Sequence, residues 1–257
     1  MSSKTHVHHL DLSSDQIKGI RLAIIPGDPD RVDRIAEELE DVQPLAHKRE
    51  FKSVRGRVGD HPILITSTGI GGPSTSICVE ELSALGVTHF LRIGSTGSIQ
   101  PHINTGDIIL STGAVRRDGA SHDFAPINYP AIADFSMVRA LAETAESMQA
   151  TFHTGISVTT DTFYTGQERY DTSHGYVRKK IQGSLEEYRH LNCLNFEMET
   201  SILYTMAQVM GLKAANVLGV AAKRTDSEEV VPPDQFLALE RKAIQIAVQA
   251  IPRILQN

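Results

Sequence analysis

Short apolar runs alternate along the chain with segments whose apolar residues recur at helical spacing. The apolar runs predict buried strands at residues 22–25, 62–66, 90–93, 107–115, 155–159 and 216–222. The helical spacing predicts helices at residues 32–39, from Pro73 onwards, at 198–210 and at 237–255. Strands that alternate with helices are typical of a largely parallel or mixed sheet that helices cover on both faces.

Three of the predicted helices carry further signals. Pro73 suits a first helical turn, and Ile77, Leu82 and Leu85 are expected on the inner face of that helix. Gly211 is a good C-cap residue for the helix at 198–210. Pro252 is expected to interrupt the last helix, because proline lacks the backbone N–H.

Glycine, serine and arginine residues stand where the predicted strands end. In open α/β sheets ligands bind beyond the carboxyl ends of the strands, and here those ends carry Gly27, Arg31, Gly69, Arg92, Ser95 and Arg224. The planar fork of an arginine matches the oxygens of a phosphate. Arg92 interrupts an apolar strand, and a structural ion pair and a bound ligand explain it equally well at this point.

A glycine-rich turn links the strand at 62–66 to the helix that follows it. Residues 67–82 read Ser-Thr-Gly-Ile-Gly-Gly-Pro-Ser-Thr-Ser-Ile-Cys-Val-Glu-Glu-Leu. Glycines let the backbone approach a small ligand closely, and the free N–H groups at a helix start favour an anion. Packing alone explains such a turn about as often as ligand binding does.

Two carboxylates and one compact loop are further candidates. Glu197 and Glu199 are two residues apart, so on a helix they point to roughly opposite sides and make a poor acid–base pair. A structural explanation is that both are favourable carboxylates in the first turn of the helix, where they interact with its dipole. The loop at 161–171 carries Phe163, Gln167 and Arg169, which can stack on a flat base, bond its edge and stabilise negative charge on it. Such a trio also occurs on ordinary surfaces.

The bulk composition limits the partners and the compartment. A net charge of −6 gives no reason to expect nucleic acid or an acidic membrane surface as a partner. No apolar run reaches membrane-spanning length, and the two cysteines do not make a disulfide framework. We therefore expect a cytoplasmic protein, and 257 residues suit one large α/β domain or two small ones.

Several of these segments together resemble the nucleoside phosphorylase-I family. Residues 26–31, 49–51, 67–82 and 91–94 are similar to its phosphate side, 195–199 to its sugar side, and 161–171 to the base loop of its uridine-cleaving members. The resemblance spans nearly the whole chain. It implies one domain over residues 1–257, folded as a three-layer sandwich with a central mixed β-sheet flanked by helices.

The resemblance also implies a reaction, the reversible phosphorolysis of uridine to uracil and α-D-ribose 1-phosphate. This is a pentosyl transfer in pyrimidine nucleoside salvage and catabolism. Inorganic phosphate is then the co-substrate, and no cofactor is required for catalysis. The family forms homohexamers, as trimers of dimers, with each site shared across a dimer.

Roles for single residues follow from the same resemblance. Phosphate is assigned to Gly27, Arg31, Arg92 and Ser95, with Arg49 of the neighbouring subunit. Ribose is assigned to Met198 and Glu199, with Glu197 as a secondary contact and His9 reaching across the dimer interface. The base is assigned to Phe163, Gln167, Arg169 and Arg224, and a structural potassium ion at the dimer interface to Glu50, Ile70 and Ser74. The residues expected to carry catalysis are Arg31, Arg92, Arg169 and Glu199.

The identity of the base depends on residues 219–224. Purine-specific relatives carry an aspartate near here, and this chain has none before Asp226, which argues against purines. Ala221 and Ala222 stand where uridine-cleaving members have larger apolar residues, so tolerance of thymidine or 5-substituted uracils is a hypothesis. The alternatives are a purine nucleoside phosphorylase, a broader pyrimidine nucleoside phosphorylase, a phosphate-independent nucleosidase and a non-catalytic nucleoside-binding protein.

Overall fold

The computed structural model describes residues 5–256, which form ten strands and six α-helices. The strands are β1 Leu22–Ile24, β2 Glu40–Lys48, β3 Phe51–Val58, β4 His61–Thr66, β5 His89–Ser98, β6 Ile108–Arg117, β7 Ala131–Ile132, β8 Phe152–Thr160, β9 Asn195–Glu197 and β10 Lys213–Lys223. The helices are α1 Pro29–Ala36, α2 Gly72–Ala84, α3 Phe135–Ser147, α4 Ser184–His190, α5 Thr200–Met210 and α6 Pro233–Gln256.

All ten strands belong to one mixed sheet. Its order is β10-β6-β8-β9-β5-β1-β4-β3-β2, with β7 beside β6. Strand β5 pairs in parallel with β1 and β10 and antiparallel with β9. Because β10 also pairs with β6, the strands β5, β10, β6, β8 and β9 close into a ring, while the β1-β4-β3-β2 side stays open.

Helices cover both faces of the sheet, so the three-layer prediction is confirmed. Alternate residues of β1 show why: Leu22 and Ile24 enter one core, and Ala23 enters the other. The first core takes the buried faces of α1, α3 and α6, and the second takes those of α2 and α5 together with residues 7–20. Within residues 5–256, no helix is both long and apolar enough to cross a membrane.

Several local predictions were wrong in detail. The helix predicted from residue 198 begins at Thr200, because Glu197 still belongs to β9 and its carboxylate accepts from the N–H of Thr200 at 2.7 Å. The predicted inner face of α2 is confirmed, by contrast: Leu82 is fully buried, and Ile77 and Leu85 are partly buried and pack against the same core.

Two strand and helix ends also differ from the predictions. Strand β5 runs on to Ser98, so Ser95 lies inside a strand and not after its end. Helix α6 continues past Pro252 to Gln256, because the proline removes only its own N–H bond while Ile251 and Ile254 keep the last turns packed in the core. The predicted C-cap at Gly211 is confirmed, with a left-handed φ of 67°.

Candidate active site

A pocket of about 720 Å³ lies along the carboxyl half of β5. Its walls come from the turn after β1, the glycine-rich turn after β4, the loop after β8, the end of β9 and the end of β10. Of the residues predicted from the sequence, it brings together Gly27, Arg31, Glu50, Ile70, Arg92, Ser95, Phe163, Gln167, Arg169, Glu197, Met198 and Glu199.

Arg31 reaches the pocket from the start of α1. The helix is capped by Asp28, whose carboxylate accepts from the N–H of Asp30 at 2.9 Å. The Arg31 side chain is 7% exposed, and its Nε donates to the Glu240 carboxylate at 2.5 Å. A buried guanidinium needs such a partner, because burying an unpaired charge is costly.

Arg92 both pairs with a carboxylate and lines the pocket, so the two explanations of its burial are compatible. Its Nη2 donates to Glu199, and both side chains are almost fully buried. The other Glu199 oxygen accepts from the N–H of Gly71 at 2.7 Å. Gly71 has a φ of 89°, a conformation that favours glycine, and with it the turn presents its N–H to the Glu199 carboxylate.

Glu197 does not form an acid–base pair with Glu199, because its carboxylate binds the backbone of residues 199–200. Its carboxylate accepts from the hydroxyl of Thr159 and from the backbone N–H groups of Glu199 and Thr200. Both N–H bonds are 2.7 Å long. Burial, and then the nearby Glu199 carboxylate, raise the pKa of Glu197. The residue therefore fixes the chain that carries Met198 and Glu199.

The loop after β8 brings the predicted base residues together. The Arg169 guanidinium lies 4.2 Å from the centroid of the Phe163 ring, at cation–π distance. Gln167 is 3% exposed and lines the pocket beside them. Arg169 also pairs with Glu228, and burial followed by the neighbouring Arg224 guanidinium lowers the pKa of Arg169.

Glu168 anchors this loop, although no sequence pattern pointed to it. It adopts a left-handed φ of 56° and turns its carboxylate away from the pocket, toward the start of α4. There it accepts from the N–H of Leu185 at 2.7 Å, from Gly183, and from the hydroxyl of Tyr170 at 3.0 Å. Burial opposes ionisation of Glu168, but the backbone hydrogen bonds from Leu185 and Gly183 prevail and lower its pKa.

Four predicted site residues lie outside the pocket walls of their own chain. His9 bonds through Nδ1 to Glu81 at 2.6 Å. Arg49 is exposed in the turn between β2 and β3, with a φ of 56°. Ser74 is described below with the candidate cation ligands. Arg224 packs behind the pocket, 5.3 Å from the Phe196 ring, and bonds Glu228 at 2.8 and 2.9 Å.

The three candidate cation ligands lie near one another at one edge of the pocket. The Ser74 hydroxyl donates to the carbonyl of Ile70 at 3.2 Å. Glu50 packs tightly on Gly69: a Cβ added to Gly69 would stand only 2.8 Å from the Cγ of Glu50. A carboxylate, a carbonyl and a hydroxyl are the oxygen ligands that suit a hard cation. Among the described residues, no cluster of three or more His, Cys, Asp or Glu side chains could hold a metal.

Sequence reasoning missed two of the carboxylates that pair with the arginines, Glu240 and Glu228. Glu240 could have been found, because it is a charge on the apolar stripe of α6, next to Leu239 and one turn from Ala243 and Ile244. Glu228 carried no comparable signal, since it sits in an irregular polar segment. Phe236 likewise had no local signal of its position in the pocket wall.

Comparisons with known proteins agree with this architecture. A family model described as "Phosphorylase superfamily" matches residues 21–255. The chain is 49% identical over 253 residues to a uridine phosphorylase of Klebsiella aerogenes, covering 98% of this chain and 100% of the relative. It is 43% identical to a uridine phosphorylase of Thermococcus kodakarensis, covering 81% and 75% respectively. A guanosine phosphorylase of Halorubrum lacusprofundi is 35% identical, covering 90% and 92%. The chain belongs to the phosphorylase superfamily.

Proposed function

We propose that this protein is a uridine phosphorylase that converts uridine and phosphate reversibly into uracil and α-D-ribose 1-phosphate. The observation that carries the proposal is that one pocket brings together Arg31, Arg92 and Glu199 with the loop that carries Phe163, Gln167 and Arg169. The relatives named uridine phosphorylase that match over nearly their full length support the choice of base. This reaction transfers a pentosyl group to phosphate.

Arg31, Arg92, Gly27 and Ser95 hold the phosphate nucleophile in this proposal. The support is their shared pocket wall and the two guanidinium groups, which can bind a dianion without a metal. A Cβ on Gly27 would stand 3.6 Å from Nη2 of Arg92, so the turn lies against the anion-binding edge of that arginine. Phosphate oxygen attacks the anomeric carbon of ribose as the N-glycosidic bond breaks.

Glu199 and Met198 hold the ribose, and the loop after β8 receives the base. As the glycosidic bond breaks, its electron pair leaves with uracil and the sugar becomes cationic. Arg169 stabilises the negative charge on the departing base, and Gln167 bonds its edge. Phe163 is 41% exposed at the pocket mouth, where a flat base can stack on its ring. Most of the rate comes from positioning and preorganised charge.

We further propose that the active unit is a dimer, within a homohexamer of three dimers. His9 and Arg49 lie outside the pocket walls of their own chain, as a role at a neighbouring subunit's site requires. Glu81 holds His9 through its ring and its backbone N–H, at 2.6 and 2.9 Å, which keeps the amino-terminal arm against α2. Each chain is proposed to be one domain over residues 1–257.

A structural potassium ion and a cytoplasmic location complete the proposal. Glu50, Ile70 and Ser74 would hold the ion through a carboxylate, a carbonyl and a hydroxyl, and it would take no part in the chemistry; the support is that the Ser74 hydroxyl bonds the Ile70 carbonyl at 3.2 Å and that both Glu50 and Ser74 pack around Gly69. Both cysteines, Cys78 and Cys193, are buried and unpaired, as is usual in a reducing compartment.

A second candidate is a broader pyrimidine nucleoside phosphorylase. The pairing of β10 with β5 shifts register between Val220 and Ala222, and both Ala221 and Ala222 line the pocket. Consecutive strand residues normally face opposite sides, so this irregularity lets two small side chains widen the same wall. Comparable kcat/KM values for thymidine and uridine would favour this candidate, and a strict preference for uridine would exclude it.

The test of the proposed function is the fall in absorbance near 260 nm with uridine or inosine, each with and without phosphate. Cleavage of uridine only with phosphate is the expected result. Cleavage of inosine would indicate a purine nucleoside phosphorylase, and cleavage without phosphate a nucleosidase. No cleavage of either nucleoside would favour a binding protein.

A further inference from the structure

The carboxylates that pair with the pocket arginines differ in their access to the pocket. Glu199 itself lines the pocket, and the Glu228 side chain is 35% exposed. Glu240 is only 3% exposed and lies behind Arg31, outside the pocket wall. A substrate can therefore compete with Glu199 for Arg92 and with Glu228 for Arg169. Glu240, in contrast, stays bound to Arg31 when the pocket fills.

Both oxygens of Glu240 are engaged, so the carboxylate cannot turn. Oε2 accepts from Nε of Arg31 at 2.5 Å, and Oε1 accepts from Nε of Arg34. Nη1 of Arg31 donates in addition to the carbonyl of Ile93 in β5, at 3.3 Å. Contacts from α6 at Nε and from β5 at Nη1 thus fix the guanidinium plane at two of its nitrogens.

We propose that Glu240 is a positioning residue for the phosphate nucleophile: it orients the guanidinium of Arg31 from behind. This inference rests on the proposed function, because it assumes that Arg31 binds phosphate. A planar guanidinium binds an anion well only when its fork is correctly aimed. Asp28 pairs with Arg34 at 2.8 Å, so two carboxylates balance the two arginines, and Glu240 acts on the aim of the Arg31 guanidinium and not through an excess of positive charge.

The test compares Glu240→Gln with the wild type. Glutamine keeps the length of the side chain and one acceptor, but it cannot bond both arginines in the same way. We expect KM for phosphate to rise by about 10-fold to 100-fold, the usual effect of a slightly misplaced binding group. KM for uridine should change less than about 3-fold. The matched control is Arg34→Lys, which keeps a positive charge between Asp28 and Glu240 and leaves the Arg31 contact, so its KM for phosphate should stay within about 2-fold.

Three results would overturn the inference. Equal increases in both KM values would indicate general damage to the pocket, and an equal effect of Arg34→Lys would indicate loosening of the cluster as a whole. A fall in KM for phosphate would mean that the negative charge of Glu240 opposes the anion more than its contact helps. Should the glutamine variant fail to fold, Glu240→Asp retains the charge, and the same split between the two KM values applies.

Phosphate binding measured by calorimetry separates this inference from the proposed function. The dissociation constant of inorganic phosphate needs no turnover, and Glu240→Gln should raise it by the same factor as KM. A wild-type protein that binds phosphate but does not cleave uridine would contradict the proposed function. The comparison of phosphate binding would then still decide whether Glu240 orients Arg31.

Discussion

The buried pair of Arg92 and Glu199 offers the sharpest test of how the site is built. The side chains are 7% and 5% exposed, and Glu199 keeps a second bond to Gly71. Removing one partner of a buried pair leaves an unpaired charge, which typically costs about 3–5 kcal/mol of unfolding free energy. Glu199→Gln should lie in that range, and Arg92→Met near its lower end, because the N–H of Gly71 still supports the carboxylate.

The double variant should be far less unstable than the sum of the single losses. Once Arg92 and Glu199 are both replaced, neither side chain is a stranded charge. Contacting residues show coupling of about 0.5–3 kcal/mol, and for a pair this buried we expect about 2–3 kcal/mol. Urea unfolding at matched protein concentration measures all three losses.

Activity should follow a different pattern from stability. Because Arg92 and Glu199 are proposed to act on phosphate and ribose in one step, each single variant should lose about 10²-fold to 10⁴-fold in kcat/KM. That range corresponds to one or two charge-assisted hydrogen bonds of about 1.5–3 kcal/mol each. The kcat/KM of the double variant should be no lower than that of the less active single variant, because the effects of residues that act as a unit are not additive.

An exposed pair on α3 provides the control for this cycle. Arg139 and Glu143 are 3.7 Å apart and about half exposed. Their coupling should be no more than about 0.5 kcal/mol. The reasoning would be refuted if the Arg92 and Glu199 losses were additive to within about 0.5 kcal/mol, or if the surface pair coupled equally strongly.

Three further predictions concern other parts of the fold. Burial, then Arg21 and Lys213, lowers the pKa of His89 to about 4 from 6.5, so its stabilising contribution is complete above about pH 6.5 and is lost as pH falls toward 4. Between these pH values the wild type should lose about 3 kcal/mol more unfolding free energy than His89→Asn; equal losses would contradict this. Gly27→Ala places a methyl group 3.1 Å from a backbone carbonyl, so KM for phosphate should rise about 10-fold and more than KM for uridine. Glu168→Gln should lower kcat/KM for uridine by about 10-fold with KM for phosphate unchanged. Steady-state kinetics measures both variants. A larger rise in KM for uridine than for phosphate in Gly27→Ala, or a changed KM for phosphate in Glu168→Gln, would contradict these predictions.

Much of the fold was predictable because buried strands have a strong apolar signal. The core strands β1, β4, β5, β6, β8 and β10 were all located within a few residues. Strand β2 was not, since most of its residues are exposed and Pro44 interrupts its pattern. Helix α3 was also missed, although Asp134 caps it and its buried residues recur at helical spacing, so the signal was present.

The pocket residues were predictable as a set, but the contacts among them were not. Motifs near strand ends indicated Arg31, Arg92 and the loop after β8, and the structure brings these side chains into one pocket. The carboxylate partner of Arg31 is 209 residues away in the sequence, and that of Arg92 is 107 residues away. Pairings at such separations depend on the packing of α6 and of the β9 segment against β5, which no local pattern encodes.

These pairings also explain how a pocket rich in arginine can exist before substrate arrives. Arg31, Arg92 and Arg169 each have a carboxylate partner, so none of these pocket arginines is a stranded positive charge. In the proposed reaction, phosphate and the departing base compete with Glu199 and Glu228 for Arg92 and Arg169. Glu199 then accepts hydrogen bonds from the ribose hydroxyl groups, so the proposal links binding of the anion and orientation of the sugar through one side chain. If this exchange occurs, phosphate should tighten nucleoside binding in wild-type protein, and that effect should disappear in Glu199→Gln.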